Sequence, residues 1–396
     1  MKIVAVLDCA IGAGGGFNQA LNAIKQIKRV SINLCELEVL TTLPENITYL
    51  TQIEIKASLI RYKKLDQLFL LLSQNLFMRR LFARLKVISP FEKKLMSLDC
   101  DIVYFVTPSF FSSALQHLNY ITTLWDLCHR DNPEFPEVRH FGEFYFREAN
   151  YRACLAAALL VLTDSEELTE LASRRYGIDQ ERFLAMPYAP TPLTVINSDE
   201  TDVQVLASYG LVAGYFLYPA QFWPHKNHIR ILQALTILKI KYKWAPVVVF
   251  LGRDKGNLAY LRNYIESAGL AEQVVIAGFV PSEHVGSLYK GALAVVMPTY
   301  FGPTNLPPLE AWTFGTPLIY SAHLSAQAGD AALLVDADSA HQLSEAMNQL
   351  RDPDTHKKLV DAGFNRLKTI GDYRALSERQ LGDRLYRFAR RQECWK

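Results

Sequence analysis

The stretch FGPTNLPPLEAWTFGTPLI (residues 301–319) follows an apolar run that ends in ALAVVMPTY. Such a run is typical of a buried strand, and the prolines after it are typical of the start of a helix. We therefore expect Glu310 in the first helical turn, where the helix dipole stabilises a carboxylate by about 0.3–1 kcal/mol. Helix stability alone does not explain the polar loop Thr304–Asn305 before the prolines. A carboxylate that accepts hydrogen bonds from a vicinal diol, such as a ribose, explains both features.

Short apolar runs alternate with helix-length segments along almost the whole chain. This alternation predicts parallel sheets covered by helices on both faces, an α/β architecture. The strand-like runs of the first half are 2–8, 35–43, 101–108, 120–126 and 158–165. Those of the second half are 215–220, 245–252, 273–280, 292–299, 316–321 and 332–336. Residues 188–204 between the two sets have the composition of a linker, so we expect two Rossmann-like domains.

Bulk composition limits the class of protein. A chain of 396 residues is too long for one ordinary core, and a net charge of +2 excludes the strong overall field of a nucleic-acid-binding protein. The 6 cysteines contain no CxxC pair, which favours reduced thiols over a disulfide framework or a zinc site. No stretch reaches the roughly 20 apolar residues of a membrane-spanning helix. The opening MKIVAVLDCAIGAGGGF fits a buried strand and loop better than a signal peptide, so we expect a cytoplasmic protein.

Ligands of open parallel sheets bind outside the carboxyl ends of the strands. The glycine-rich loop DCAIGAGGGFNQALNAI after the first strand suits a phosphate, but Phe17 stands where the last glycine of a dinucleotide motif belongs. This loop therefore either contacts a ligand or only turns the chain. WDLCHRDNPEFP (125–136) places His129 just past a strand end. A neutral imidazole there can hydrogen-bond a sugar hydroxyl, and a purely structural histidine is the alternative.

The loop YPAQFWPHKNHIRIL (218–232) places Lys226 just before a helix. A lysine at a helix N-terminus opposes the helix dipole, so its presence indicates a bound anion. HKNH also offers two histidines three residues apart, but no carboxylate or third ligand follows nearby, so phosphate is favoured over a metal ion.

Together these loops resemble the retaining GT-B glycosyltransferases of family 4. In the second half the resemblance rests on PAQFWPHKNH, a later GFV, PTYFGPTNLPPLEAWTFGTPLI and GDAALLVDADSAHQL; in the first half it rests on GGGFNQAL, DLCHRDNPEFPEV and LLVLTDSE. It covers nearly the whole chain, with 40–95 least constrained. It implies two Rossmann-like domains that face each other across a cleft. The expected divisions are an acceptor-binding domain at 1–195, a nucleotide-sugar-binding domain at 196–371, and a C-terminal helix at 372–396 that packs back on the first domain.

The resemblance also implies roles for individual residues. Glu310 matches the second glutamate of the family's Glu-x7-Glu motif and would hold the ribose hydroxyls. Lys226 would neutralise the diphosphate, and His129 would contact the donor sugar near its 6-hydroxyl. These three are the expected catalytic residues. The other expected donor-binding positions, several acting through backbone N–H groups, are Gly15, Gly16, Phe17, Gln221, Arg253, Gly278, Phe279, Val280, Thr304, Asn305 and Leu306.

Two positions depart from the family pattern. Gly302 stands where the motif has its first glutamate, and the side chains of Thr304 or Asn305 are the expected substitutes. Gln221 stands where the family often has an arginine, so Lys226 and helix dipoles must neutralise more of the diphosphate, with Arg253 as a further candidate.

The implied reaction is transfer of a hexose with retention of configuration, without a cofactor and without a metal ion. UDP-glucose is favoured over GDP-mannose as the donor. No side chain is an obvious nucleophile, so the departing phosphate would take the acceptor proton, and the protein would act by positioning and charge stabilisation. Three alternatives stay open: a GT-B nucleotide-sugar epimerase, a non-catalytic nucleotide-sugar-binding protein and, least favoured, an NAD-dependent oxidoreductase.

Residues 61–86 carry seven basic residues and one acidic residue among many leucines and phenylalanines. A solvated helix face is the plain explanation, but a basic excess in a nearly neutral protein favours a local anionic partner. We expect an anionic membrane surface or a lipid-diphosphate-linked saccharide acceptor, and hence a peripheral protein on the inner face of the plasma membrane in cell-surface polysaccharide synthesis. The residues expected at this surface are Arg79, Arg80, Arg84 and Lys86.

Overall fold

A computed structural model describes residues 1–11, 14–32, 34–190, 201–302 and 304–395. It contains two parallel β-sheets. The first is 7-stranded, in the order β3-β2-β1-β4-β5-β6-β7, and the second is 6-stranded, in the order β10-β9-β8-β11-β12-β13. The strands of the first sheet are β1 Lys2–Leu7, β2 Glu36–Thr41, β3 Ala57–Leu59, β4 Ile102–Phe105, β5 Asn119–Thr123, β6 Leu160–Thr163 and β7 Phe183–Ala185. Those of the second are β8 Tyr215–Pro219, β9 Val248–Leu251, β10 Val274–Gly278, β11 Ala292–Met297, β12 Leu318–Ser321 and β13 Leu333–Val335.

Helical segments connect successive strands, as parallel pairing requires; between β4 and β5 the segment is a 3-10 helix, Phe110–Ala114. Those in the first part of the chain are α1 Gly15–Ser31, α2 Pro44–Gln52, α3 Lys64–Ser73, α4 Leu76–Arg84, α5 Pro90–Met96, α6 Cys128–Asp131, α7 Pro136–Arg139, α8 Glu143–Cys154 and α9 Glu166–Tyr176. Those in the second part are α10 Asp202–Ser208, α11 His228–Lys241, α12 Leu258–Ser267, α13 Ser282–Gly291, α14 Leu306–Thr313, α15 Ser325–Ala328, α16 Ala340–Gln349 and α17 Pro353–Gln392.

The predicted α/β architecture is confirmed, and every predicted strand is present. The strands are near-continuous apolar runs because both faces of each sheet are covered: Ile3 to Leu7 of β1 are fully buried and contribute alternately to two apolar clusters. Two short strands were not predicted, β3 and β7. Each is only 3 residues long, too short to give a periodic signal.

The chain divides into two compact units. Unit 1 comprises Met1–Asp131, Phe141–Ala189 and Asp372–Lys396; unit 2 comprises Asn132–His140 and Pro190–Gly371. The predicted boundary between residues 195 and 196 lies outside the described residues, as does most of the predicted linker. Residues 132–140, which we call the strap, belong to unit 2, and no feature of the sequence predicted this.

The predicted C-terminal helix at 372–391 is the second half of a longer helix, α17, which begins at Pro353. Within the part of the chain that the structure describes, no helix is both long enough and apolar enough to span a bilayer.

Candidate functional site

The loops after three adjacent strands of the second sheet carry most of the candidate donor-binding residues. Strands β9, β8 and β11 lie side by side and are parallel, so their carboxyl ends share one edge of the sheet. Arg253 follows β9, Lys226 follows β8, and Asn305 and Glu310 follow β11. The architecture therefore brings these residues to one edge, as the sequence predicted.

The turn that presents Lys226 is fixed from inside the unit. It is a short 3-10 helix, Pro224–Lys226, and Asn227 after it has a left-handed φ of 58°. The Asn227 amide donates to the carbonyls of Pro298 at 2.9 Å and Ala337 at 2.8 Å, which offsets the cost of that conformation. Tyr218 Oη donates to the Lys226 carbonyl at 2.7 Å. The lysine thus lies immediately before α11 on a fixed backbone.

A carboxylate from the strap holds the residue next to Lys226. Glu137 Oε1 accepts a hydrogen bond from the His225 backbone N–H at 3.2 Å, and it also pairs with His225 Nδ1. Burial acts to raise the pKa of Glu137, but the hydrogen bonds and charge of His225, together with a backbone hydrogen bond at Glu137 itself, lower that pKa below its usual range. The His225 ring stacks on Phe301, with centroids 4.0 Å apart, and Phe135 of the strap lies 5.2 Å from Phe301. The strap therefore braces the Lys226 turn.

Asn305 is the N-cap residue of α14, yet its side chain does not cap the helix. Its Oδ1 instead accepts from Lys226 Nζ at 3.3 Å, and its Nδ2 donates to the Gly302 carbonyl at 2.8 Å and to Tyr320 Oη at 2.7 Å. Its backbone N–H donates to Gln327 Oε1 at 2.9 Å, and Gln327 Nε2 donates to its carbonyl at 2.6 Å. Asn305 is buried, and its polar groups have partners within the protein.

This geometry corrects two expectations for Asn305. By the resemblance, its backbone N–H was one of the groups expected to help bind the phosphates and the sugar, but that N–H donates to Gln327 Oε1. Its side chain was expected to replace the missing glutamate against sugar hydroxyls, but its donor and acceptor atoms are bound to Lys226, Gly302 and Tyr320. Asn305 therefore holds the Lys226 ammonium instead of offering its own polar groups to a ligand.

Gly302 is glycine for a local reason. Its φ is +105°, a conformation that side chains disfavour, and a Cβ there would lie 2.9 Å from Asn305 Oδ1. A glutamate at 302 and the observed Asn305 rotamer therefore exclude each other. The absence of a glutamate at 302 and the buried Asn305 amide therefore depend on each other.

Glu310 is oriented by a residue that the sequence did not reveal. Tyr289 Oη, at the end of α13, donates to Glu310 Oε2 at 2.6 Å. Burial raises the pKa of Tyr289 well above its usual value, so the phenol stays protonated and can donate. The expectation that Glu310 lies in the first helical turn is wrong: α14 begins at Leu306, and its first turn contains no acid. The helix dipole acts mainly on the first turn, so it stabilises the Glu310 carboxylate less than the sequence suggested.

The remaining candidates of unit 2 make the following contacts. Gln221 Oε1 accepts from Trp223 Nε1 at 3.1 Å, so the position where the family has arginine carries a neutral, internally bonded amide. The Arg253 guanidinium lies 4.8 Å from the centroid of the Phe279 ring, which is 68% exposed. The Gly278 carbonyl accepts from the backbone N–H of Gly252.

Three candidates of unit 2 are left: Val280, Leu306 and Thr304. Val280 and Leu306 are buried, whereas Thr304 is partly buried in the bend before α14. Pro303 beside it, and Gly12 and Ala13 of the glycine-rich loop, lie outside the described residues.

In unit 1 the glycine-rich loop opens α1, with Gly14 as N-cap and Gly15, Gly16 and Phe17 as the first helical residues. Gly16 packs against an indole: a Cβ there would lie 3.1 Å from the Trp125 ring. The Phe17 side chain is buried and packs edge-on against Tyr49, with centroids 5.5 Å apart. Gly16 thus has a packing role, and Phe17 is used inside the unit: its side chain is buried and its backbone N–H donates to the Gly14 carbonyl at 3.1 Å.

His129 is fully buried in unit 1, and its Nε2 lies 3.3 Å from Glu148 Oε2. Glu148 also accepts from Arg130 Nε at 2.8 Å, Arg152 Nε at 2.7 Å and Tyr176 Oη at 3.1 Å. Burial, and secondarily the nearby Arg147 charge, lower the pKa of His129, so the imidazole is neutral at neutral pH. A neutral ring that donates from Nε2 to Glu148 leaves Nδ1 as an acceptor, and within the described residues Nδ1 has no hydrogen-bond partner.

The basic stretch 61–86 forms two helices, α3 and α4. Arg80, Arg84 and Lys86 are exposed, as expected, but Arg79 is not part of that surface. Its guanidinium donates to the backbone carbonyl of Ala153 and to that of Leu115 at 3.4 Å, which fixes it inside unit 1.

The two histidines of HKNH have separate roles. His225 pairs with Glu137, whereas His228 is buried beside the rings of Tyr218 and Phe222, and burial lowers its pKa to about 3. Among the described residues, no group of three or more His, Cys, Asp or Glu side chains is arranged to hold a metal ion. Independence from metal stays a prediction.

Sequence reasoning missed Tyr289, Tyr320, Gln327 and Glu137. Tyr320 offered a signal, since its hydroxyl stands near the carboxyl end of the apolar run TPLIYS. The other three lie in helices 88, 21 and 22 residues away from their partners, Glu137 from His225, Tyr289 from Glu310 and Gln327 from Asn305. No local pattern identifies contacts at such separations, even though Glu137 itself lies within the stretch DLCHRDNPEFPEV.

Comparison with known proteins shows what this chain is similar to. Residues 213–366 match the family model described as Glycosyl transferases group 1. The chain is 26% identical over 246 residues to O-antigen chain mannosyltransferase B of Escherichia coli, with 61% of this chain and 64% of that protein aligned. It is 22% identical over 253 residues to mannosylfructose-phosphate synthase of Agrobacterium fabrum, with 59% and 53% aligned. The alignments thus span less than two thirds of these relatives.

The fold has close structural counterparts. The Anabaena protein Alr3699/HepE, in complex with UDP-glucose, superposes with a TM-score of 0.71 at 16% identity, covering 97% of this chain and 100% of that chain. The chain therefore has the GT-B type of α/β fold. The match to the Glycosyl transferases group 1 model covers residues 213–366, the stretch that contains the Lys226 turn, Asn305 and Glu310.

Proposed function

We propose that this chain is a retaining glycosyltransferase of family 4 that moves a hexose from a nucleoside-diphosphate sugar to a saccharide or a lipid-linked saccharide. One observation carries the proposal. Within the residues that match the group 1 family model, an ammonium and a carboxylate are each held by another side chain at one edge of the sheet, Lys226 by Asn305 and Glu310 by Tyr289. An ammonium suits a diphosphate, and an oriented carboxylate suits the diol of a ribose.

His129 supports a sugar contact in unit 1. A buried imidazole nitrogen without a partner in the described residues costs free energy unless a ligand supplies a donor. A hydroxyl of the donor sugar is such a donor, and the lowered pKa of His129 keeps the nitrogen able to accept. We therefore assign to His129 one hydroxyl of the transferred hexose; since its side chain has no exposed surface, the residues that cover it must move when the sugar binds.

The proposed chemistry relies on electrostatics. Cleavage of the sugar–phosphate bond leaves negative charge on the diphosphate, which Lys226 and the helix that follows it stabilise. The departing phosphate oxygen accepts the proton of the acceptor hydroxyl as the new glycosidic bond forms on the same face of the sugar. Neither a cofactor nor a metal ion takes part in this scheme.

Two donors are candidates. UDP-glucose is the first, which the HepE complex supports by fold alone. GDP-mannose is the second, because the E. coli relative is named a mannosyltransferase. Acceptance of either donor without an acceptor-dependent release of nucleotide would favour a GT-B epimerase instead.

The exposed surface of α3 and α4 supports a membrane-associated acceptor. Helix α3 buries Phe69 and Leu70 on one side and exposes Leu65 by 63%, Leu68 by 53% and Leu71 by 58% on the other. Helices with apolar residues all round are normally covered. The exposed residues near them in the sequence include Phe77 and the basic Lys63, Lys64, Arg80, Arg84 and Lys86. Apolar and basic groups together fit an anionic bilayer surface.

Calorimetric titration tests the proposal. UDP and GDP, then UDP-glucose and GDP-mannose, are titrated into the full chain in EDTA. We expect one nucleotide to bind without metal and Glu310→Ala to weaken it by about tenfold or more, the loss of a charged hydrogen-bonding partner. If neither nucleotide binds the folded protein, the transferase assignment is wrong, and the chain is better described as a degenerate binding module.

A vesicle experiment tests the surface separately. In a flotation assay we expect the wild-type chain to be recovered with vesicles of phosphatidylglycerol and phosphatidylcholine. We expect the variant Leu68→Ser/Phe77→Ser not to be recovered with them. Equal recovery of the wild type with purely zwitterionic vesicles would contradict a role for the basic residues.

A further inference from the structure

The contacts of Asn305 exceed those that a helix start requires. Asn305 is 8% exposed, and it binds through both backbone groups and both side-chain atoms. Gln327 brackets its backbone, and Tyr320 receives its amide hydrogen and donates in turn to Gln327 Oε1 at 2.8 Å. A side chain held in this way has one rotamer, so the position of its Oδ1 is fixed.

The fixed oxygen lies 3.3 Å from Lys226 Nζ. A lysine side chain has four rotatable bonds and loses entropy when it is held in one place. Because the protein fixes the acceptor oxygen, the Lys226 side chain has already lost that entropy before a ligand binds. Because the acceptor is an amide, it orients the ammonium without adding a negative charge beside it.

We propose that Asn305 is a positioning residue that holds the Lys226 ammonium for an incoming diphosphate and, being neutral, leaves the site attractive to that anion. This inference rests on the proposed function, since it requires a nucleoside diphosphate at Lys226. It also explains Gly302: any Cβ at that position would come within 2.9 Å of the Asn305 amide oxygen. A neutral Asn305 and a glycine at 302 are therefore required together.

The test introduces a charge with almost no change in shape. Asn305→Asp puts a carboxylate at hydrogen-bond distance from Lys226, where it competes with the diphosphate. We expect the affinity for the nucleotide that binds the wild type, UDP or GDP, to fall by about tenfold, as for one charged hydrogen bond. In a Lys226→Ala background the same substitution should change the affinity less than about twofold, because little is left to compete for.

The chain offers a matched control. Asn348 of α16 also accepts from a cation at 3.3 Å, from Arg351 Nη1. Asn348→Asp makes the same chemical change at the same distance, and we expect nucleotide affinity to stay within error of the wild type. Thermal unfolding of each variant shows whether the fold is retained.

Tyr320→Phe keeps the test decisive if Asn305→Asp does not fold. It removes one hydroxyl that holds the Asn305 amide, and we expect a two- to threefold loss of nucleotide affinity that disappears in the Lys226→Ala background. Equal losses in both backgrounds would mean a structural role and would overturn the inference.

The outcomes separate the two proposals. If the wild type binds nucleotide and Lys226→Ala weakens it while Asn305→Asp binds normally, the inference is wrong and the proposed function stands. If the wild type binds neither UDP nor GDP, the proposed function fails, and this inference fails with it.

Discussion

His129 and Lys226 each lie in a short helical turn after a parallel strand, one in each sheet, but opposite kinds of partner hold them. His129 is buried against Glu148, a carboxylate that three further side chains share. Lys226 is held by Asn305, a neutral amide. A carboxylate partner adds to the stability of the fold, whereas an amide partner orients a cation and leaves a ligand to supply the negative charge. Stability and ligand binding should therefore respond to different substitutions in the two loops.

Among the substitutions that test this comparison, replacement of Lys226 has the largest expected effect on activity. We expect Lys226→Ala to lower the rate of acceptor-dependent nucleotide release by about 100-fold or more, the loss of one electrostatic contact to a developing charge. The fold should be unchanged, because the contacts of Asn227 and Tyr218 fix the turn through its backbone. Lys239→Ala, on the exposed side of α11, is the control. Full turnover by a well-folded Lys226→Ala protein would refute the assignment.

Replacement of Glu148 sharpens the other half of the comparison. Burial acts to raise the pKa of Glu148, but hydrogen bonds from Arg130 and His129 lower it from 4.5 to about 2. We expect Glu148→Gln to reduce the free energy of unfolding by up to about 3 kcal/mol at pH 7, since each pKa unit corresponds to about 1.4 kcal/mol.

The sign of the pH dependence follows from the lowered pKa of Glu148. A carboxyl whose pKa is lower in the folded state stabilises the protein fully above the unfolded pKa, near 4.5, and loses that contribution as the pH falls toward 2. The difference between wild type and Glu148→Gln in denaturant unfolding should thus shrink from pH 7 to pH 3. Glu170→Gln on the exposed side of α9 is the control. A difference independent of pH would contradict the role of the charge.

The sequence predicted the strands and the loop positions because both depend on local patterns. Buried parallel strands are continuous apolar runs, and the fold brings their carboxyl ends to one edge. Thus the sequence alone predicted that Lys226, Asn305 and Glu310 follow strands of one sheet. The strands β3 and β7 and the strap were missed because short elements and long-range docking leave no periodic signal.

Partners were much harder to predict than positions. Gln327 and Tyr289 are 22 and 21 residues away in sequence from Asn305 and Glu310. Nothing in the sequence showed that Asn305 would be bonded on every side, and so it was expected to meet the sugar. Arg79 was misassigned for the same reason, because its carbonyl partner Ala153 lies 74 residues away.

Gly302 tests whether the Lys226 side of the comparison depends on Asn305. Gly302→Ala adds a Cβ that would lie 2.9 Å from the Asn305 amide oxygen and strains a φ of +105°. We expect nucleotide affinity to fall by about tenfold and stability by about 1–3 kcal/mol. Gly210→Ala provides the control, since its φ is +67° but nothing lies within 4 Å of the added Cβ. That variant should lose stability and keep its affinity; if both variants lose affinity alike, backbone strain rather than the Asn305 contact is responsible.

The strap gives the smallest expected effect, and it asks whether a carboxylate can also serve the ligand-binding loop. Glu137 accepts from the backbone N–H of His225 and pairs with the ring beside it, one residue before Lys226. Glu137→Gln retains a carbonyl acceptor but loses the charge, so we expect nucleotide affinity to fall about threefold, within the net value of one hydrogen bond. Glu137→Ala removes the acceptor and should lose about tenfold, while Glu134→Gln, exposed in the same strap, should bind like the wild type. A partial rescue by glutamine relative to alanine would identify Glu137 as an acceptor that positions the Lys226 turn. Equal losses would show that its charge matters instead. A carboxylate would then support the ligand-binding turn of unit 2 as well, and the contrast with unit 1 would apply only to the direct partners of His129 and Lys226.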